Sequence, residues 1–136
     1  MEIQVIYFSK NGSTKIIADA IASEFNVVAQ DVQNAVLHDE GFVFLGSGCY
    51  GSKPSKKMID FIKDNKFMSR NVALFGTSGG GVGKEVKMME QLLAEQESCV
   101  KGSFYCKGKF FIMNRGRPNK NDTNEARAFA TRMINE

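Results

Sequence analysis

Histidine, cysteine and long apolar runs are scarce in this 136-residue chain, and each scarcity narrows its chemistry. The single histidine, His38, lies in the polar stretch Leu37-His38-Asp39-Glu40, which suits a surface residue better than a catalytic base. The three cysteines, Cys49, Cys99 and Cys106, are odd in number, have no C-x-x-C spacing and have no histidine beside them. A disulfide framework or a zinc site does not follow from that pattern. No apolar run approaches the roughly 20 residues of a membrane span. No basic segment and cleavage site precede the first apolar run, so the expected location is the cytoplasm, with no membrane partner. Linkers, low-complexity stretches and repeats are absent, and the length fits one domain spanning 1–136. The net charge of +3 is too small to argue for nucleic acid.

What is present is an alternation of apolar and helical segments. Strands are expected at Ile3–Phe8, Asn26–Gln30, Phe42–Leu45, Asn71–Phe75 and Ser103–Ile112, the last broken near Gly108. Helices are expected at Ser13–Glu24, from Pro54 onward with Met58, Ile59, Phe61 and Ile62 inward, through Val82, Val86, Met89 and Leu93, and from Asn121 to Ile134. Strands that read apolar throughout are buried on both faces. The pattern therefore predicts an α/β three-layer sandwich around a parallel sheet with right-handed crossovers.

Three loops then carry the chemistry, because ligands of open α/β sheets bind beyond the carboxyl ends of the strands. The first is Ser9-Lys10-Asn11-Gly12-Ser13-Thr14, between a strand and a helix. Free N–H groups and the helix dipole there favour an anion. The hydroxyls of Ser9, Ser13 and Thr14 and the amide of Asn11 are candidates to complete the cage. A plainer reading makes Ser13 a helix cap. Lys10 and Lys15 suit solvated positions. The second loop, Gly46-Ser47-Gly48-Cys49-Tyr50-Gly51-Ser52, matches G-x-G-x-x-G from Gly46 to Gly51. The acidic residue that a dinucleotide site needs at the end of the next strand is missing from Asn71-Val72-Ala73-Leu74-Phe75-Gly76. The third loop, Gly76-Thr77-Ser78-Gly79-Gly80-Gly81-Val82-Gly83-Lys84, hints at a phosphate-binding loop of nucleotide hydrolases. Ser78 and Glu85 stand where that motif needs glycine and a hydroxyl.

The first loop resembles the Ser/Thr-x-Thr-Gly-x-Ser/Thr loop of flavodoxins, with Asn11 in place of the middle threonine. The segments Gly102–Phe110 and Gly116-Arg117-Pro118-Asn119 resemble the final strand and its exit in short-chain members. The resemblance covers nearly the whole chain. It implies a five-stranded sheet in the order 2-1-3-4-5 and FMN as cofactor. Ser9, Lys10, Asn11, Gly12, Ser13 and Thr14 would hold its phosphate. Ser47, Gly48, Cys49, Tyr50 and Gly51 would lie along the ring system, with Tyr50 stacked on it. Thr77, Ser78, Gly79, Gly80 and Gly81 would line the pyrimidine end. In that family a glycine peptide of the second loop rotates on reduction and accepts a bond from flavin N5–H. Gly51 is the first candidate here and Gly48 the second. Two departures stand out. The third loop has no second aromatic, which leaves one flavin face open. Lysines and arginines (Lys53, Lys56, Lys57, Lys63, Lys107, Lys109, Arg115, Arg117, Lys120) replace the family's usual acidic rim. The implied function is electron transfer to a dedicated partner oxidoreductase with an acidic docking face, by a monomer or weak dimer. The alternative is a small NAD(P)H-dependent FMN or quinone reductase, for which no second nicotinamide site is evident in the sequence.

Overall fold

The computed structural model describes all residues, 1–136. Unbroken apolar runs become strands with both faces covered. β1 (Ile3–Phe8), β3 (Phe42–Gly48) and β4 (Asn71–Ser78) form the centre, flanked by β2 (Gln30–Asp31) and β5 (Cys99–Lys107). All neighbours pair in parallel, in the order β2-β1-β3-β4-β5. The helices are α1 (Ser13–Glu24), α2 (Lys56–Asp64), α3 (Lys84–Glu95) and α4 (Lys120–Asn135). None is long and apolar enough to cross a membrane.

Alternation along each strand sorts the core into two layers. Val5, Phe44, Ala73 and Phe75 pack with α1 and α4, against Ile17, Ile21 and Phe129. Ile6, Leu45, Val72 and Leu74 point the other way, onto α2 and α3, against Met58, Ile62, Met89 and Leu93. Two helices per face is what a doubly wound parallel sheet requires. Local signals fix the helix starts. Ser55 Oγ accepts from Met58 N–H (3.1 Å) ahead of α2. Asn119 and Asp122 form a reciprocal capping box ahead of α4.

Several expectations are corrected. The second strand is only Gln30–Asp31, because Asn26 at φ +54 ends the helix and Val27 N–H returns to Ala22 C=O. β3 and β4 run further than expected: Gly46, Ser47 and Gly48 still pair with Phe75, Gly76 and Thr77. Those glycines are thus ladder residues as well as loop residues. β5 lies earlier than Ser103–Ile112. It runs Cys99–Lys107, with a register shift opposite Val72/Ala73. Phe110 and Met113 instead close a tight turn, with Phe111 at φ +54. Val82 precedes α3 and is exposed rather than inward. Ile59 and Phe61 are only partly buried, while Met58 and Ile62 are fully so.

Gly46 marks the tightest point of the sheet. A Cβ built on it would stand 2.0 Å from the Phe75 ring, which crosses over it from the paired strand. A Gly46→Ala variant is expected to lose about 1–3 kcal/mol of stability through overpacking. Urea unfolding measures this directly, and an unchanged midpoint would contradict the packing described.

Candidate functional site

Parallel strands deliver their carboxyl ends to one side of the sheet, so the loops after β1, β3, β4 and β5 meet there. After Phe8 the chain makes two side-chain-supported turns. Ser9 Oγ accepts from Gly12 N–H (3.1 Å), and Asn11 Oδ1 accepts from Ser13 N–H (3.1 Å). Gly12 takes φ +94, a left-handed conformation that glycine adopts without strain. The result leaves the backbone N–H groups of Asn11, Thr14 and Lys15 without an intramolecular acceptor at the start of α1. Three free donors at a helix N-terminus suit an oxyanion.

The hydroxyls and the amide of this loop also bond within the protein. Ser13 Oγ accepts from Lys109 N–H (3.0 Å), and Asn11 Nδ2 donates to Lys109 C=O (2.6 Å). Thr14 and Thr77 share a buried hydroxyl pair at 2.8 Å. Ser13 is not the helix cap either, since that position belongs to Gly12. The first loop's side chains thus tie neighbouring loops together, and because Ser9 and Ser13 accept in these bonds their O–H groups stay free to donate. Lys15 is engaged with Asp19 at 2.7 Å.

The second loop closes in a tight turn, with Tyr50 N–H donating to Lys53 C=O (2.7 Å) and Lys53 N–H to Tyr50 C=O (3.3 Å). Gly51 (φ +61) and Ser52 (φ +67) are its central residues, and positive φ at both is the mark of a type I′ turn. The Tyr50 ring packs edge-on against Phe8, with centroids 5.9 Å apart. Its hydroxyl accepts from Lys10 N–H (3.2 Å). A Cβ on Gly48 would strike that hydroxyl at 2.5 Å. Ser47 is buried and bonded to Ser55 N–H and Gly48 C=O, a structural position. In the third loop Ser78 Oγ accepts from Gly81 N–H (2.8 Å), and Gly81 packs on Lys107.

Between these loops lies a cleft in two lobes. One, of about 380 Å³, is lined by Lys10, Asn11, Gly48, Cys49, Tyr50, Thr77, Ser78 and Gly79. The other, of about 420 Å³, adds Gly51, Gly80, Val82 and Lys84. Cys49, Ser78, Gly79 and Phe110 belong to both. Ser9, Gly12, Ser13, Thr14, Ser47 and Gly81 do not line either lobe.

A fourth loop, after β5, is the part that sequence reasoning missed. Gly108, Lys109, Phe110 and Phe111 line the first lobe. A Cβ on Gly108 would meet Ser13 at 2.9 Å and Thr77 at 3.1 Å, so the chain passes between the first and third loops only as glycine. Asn114 Nδ2 donates to Gly79 C=O (2.8 Å) and Gly108 C=O (3.0 Å), which locks the turn in place. The legible signal was Gly108 itself, followed by four large apolar residues that cannot alternate as a half-buried strand does.

The electrostatics are one-sided. No carboxylate occurs in the stretches 3–18, 41–59, 65–84 or 98–121, which contain the loops after β1, β3, β4 and β5. Lys10, Lys53, Lys84, Lys107, Lys109 and Arg115 stand there without an ion-pair partner. Arg117, by contrast, is held by Asp122 through two bonds at 2.7 and 2.9 Å, which also keep that carboxyl below its usual range despite its burial. Lys56 is paired with Asp60. His38 pairs with Glu2 at the opposite end of the sheet.

One acid lies beneath the site. Glu85, at the start of α3, is fully enclosed and neither carboxyl oxygen has a hydrogen-bond partner. The Cys49 thiol is beside it but falls short of hydrogen-bond geometry. A Cβ on Gly76 would be 2.1 Å from Oε2, so that glycine leaves room for the carboxyl. Burial pushes Glu85 up to about 7, and burial likewise raises the Cys49 thiol, which argues against a reactive thiolate. No cluster of ligands suited to a metal ion is present.

A family model for the flavodoxin domain matches residues 4–114. The chain belongs to the flavodoxin family. None of the curated protein sequences matches it. Among solved structures it is similar to a flavodoxin from the domain Archaea, at 19% identity over 98% of this chain and 96% of that one, with a TM-score of 0.81. It is similar to oxidised flavodoxin 1 from Bacillus cereus, at 18% identity over 100% and 99%, with a TM-score of 0.79. It also matches rubredoxin oxygen:oxidoreductase from Desulfovibrio gigas at 18% identity over 95% of this chain but 34% of that one, with a TM-score of 0.76. Flavodoxins carry a flavin, and the residues present fit one. Three orphan N–H donors suit its phosphate, and an aromatic-walled cleft beside them suits a flat ring.

The position of Glu85 sets the pH dependence of stability. Its proton is held more tightly in the folded chain than in the unfolded one. Stability therefore falls as pH rises from about 4.5 through about 7, then levels. The whole penalty is about 3 kcal/mol. Glu85→Gln should remove that decline and gain most over the parent protein above pH 8. Denaturant unfolding at pH 5 and pH 8.5 tests this, and parallel pH profiles for the two proteins would refute it.

Proposed function

We propose that this chain binds FMN and carries single electrons between partner proteins. The observation that carries the reading is the set of three unpaired donors at the start of α1, opening beside the cleft between Tyr50 and Ser78–Gly80. FMN would supply the redox chemistry, and the protein's contribution would be binding, orientation and electrostatics. Asn11, Thr14 and Lys15 would donate backbone N–H groups to the phosphate. Tyr50 would present its ring to one face of the flavin, and Cys49, Gly51 and Ser78 to Gly80 would line its edge.

Gly51 supports the orienting role. It occupies the left-handed region, and open space surrounds the position a side chain would take. The cationic loop end favours a partner with an acidic docking face, since opposite charges speed encounter and like charges suppress wrong pairs. A cofactor edge exposed at that end suits transfer between proteins. Self-sufficient turnover of a nicotinamide and a quinone is the competing activity.

Titration of the flavin-free protein with FMN, followed by flavin fluorescence, should show binding at least about 100-fold tighter than riboflavin, the difference being the phosphate's charge-assisted bonds. Equal affinity for the two would defeat the phosphate assignment. Steady oxidation of NADPH with a quinone by the purified protein alone would defeat the carrier reading. Gly51→Val should keep FMN bound yet displace the potentials found by redox titration. Unmoved potentials would take that role from Gly51.

A further inference from the structure

The turn after β5 exposes a group of large apolar side chains that the core does not use. Phe111 is 80% exposed, Ile112 77% and Met113 58%. The turn is not a loose segment. Phe110 and Met113 exchange two backbone hydrogen bonds at 3.0 and 2.8 Å, and Phe110 and Phe111 pack edge-on with centroids 4.6 Å apart. Asn114 and Asn11 fasten its two sides to the third and first loops. Holding three apolar side chains in water on a braced turn costs solvation, and contiguous exposed apolar groups of this kind mark contact surfaces. The surroundings say what the contact is. Lys107, Lys109 and Arg115 flank the tip, and residues 98–121 contain no carboxylate. A second copy of this chain would bring the same cations against them, which disfavours self-association through this face.

We propose that the Phe111–Met113 turn is the apolar anchor of a docking surface for an acidic protein whose contact face carries an apolar seam edged by carboxylates. This rests on the carrier reading for its purpose, because the tip adjoins the cleft and a protein seated on it would come close to a bound flavin. The braced turn lowers the ordering cost of docking, the apolar tip supplies the desolvated centre, and the cations supply steering and register.

The test uses a synthetic acidic amphipathic helix, with leucine and phenylalanine on one face and glutamate on the other, added to the isotopically labelled full chain. Amide shifts should concentrate in residues 79–84 and 107–115, and binding should weaken steeply as salt rises. The double variant Phe111→Ser, Ile112→Ser should bind about tenfold more weakly. Unaltered amide shifts away from the turn, and an unaltered urea unfolding midpoint, would show that its fold is intact. The same peptide with lysine for glutamate should not bind. Shifts spread over the helices, or an unchanged affinity in the double variant, would overturn the proposal. So would co-sedimentation with phosphatidylserine vesicles that the double variant abolishes, since the tip would then be a lipid anchor. The peptide map reads the same with or without flavin, so failure to take up FMN sinks the carrier reading separately.

Discussion

Parallel strands buried on both faces must all return over the sheet, and that constraint governs everything else in the molecule. Because β1, β3, β4 and β5 run the same way, their exits cannot avoid one another. Four chain segments must therefore share a small area without colliding. Small residues make this possible: Gly48 under the Tyr50 hydroxyl, Gly76 beside Glu85, and Gly108 between Ser13 and Thr77. The sharing is also directional. Side chains of the first loop reach across to hold the fourth, while its backbone donors remain open. A cleft lined with glycine and hydroxyls is thus a consequence of topology before it is a property of any ligand.

The same end of the sheet separates charge by depth. Its surface carries only cations, and its one acid is buried out of reach of solvent. A carboxyl with no partner is costly when ionised, so burial pushes Glu85 up to about 7 and it is neutral only below that pH. Below about pH 7 its protonation removes the one group that would offset the positive field from beneath. The field that an approaching molecule meets is therefore set by Lys10, Lys53, Lys84, Lys107, Lys109 and Arg115. An anionic phosphate and an acidic protein face would both find that field favourable, at different ranges. A phosphate would meet aligned N–H groups at contact distance, and a protein would meet screened point charges over about 10 Å.

Much of this was legible in the chain. β1 and α1 fall where apolar and helical spacing place them, because Ile3–Phe8 and Ser13–Glu24 obey one period each. The strand order followed from a resemblance, since periodicity says nothing about which strand pairs with which. The errors cluster where local and tertiary demands differ. Cys99–Gly102 is short of apolar residues and contains Lys101 and a glycine, yet pairing with β4 makes it strand. Phe110–Met113 is apolar, yet it lies in water because Gly108 and Asn114 divert it. Asn26–Ala29 is strand-like in composition, but the helix end takes it. In the first loop the hydroxyls read as ligand donors also have partners within the protein. Ser9, Ser13 and Thr14 turned out to be bonded to protein, and no sequence pattern distinguishes a hydroxyl that faces a ligand from one that faces a neighbouring loop.

The fourth loop changes how the cleft is built. Read from the sequence, one flavin face was left open because the third loop has only glycines between Ser78 and Val82. Those glycines are what allow Phe110 to approach: a Cβ on Gly79 would lie 3.2 Å from Phe110 Cβ and Cγ. The ring that the third loop lacks is thus brought in from the turn after β5, and it lines both lobes of the cleft. Supplying it from a turn with an exposed apolar tip joins two tasks in one segment. Phe110 is joined to Met113 by the paired backbone and to Phe111 by ring packing, so the exposed tip and the cleft wall are built from one turn.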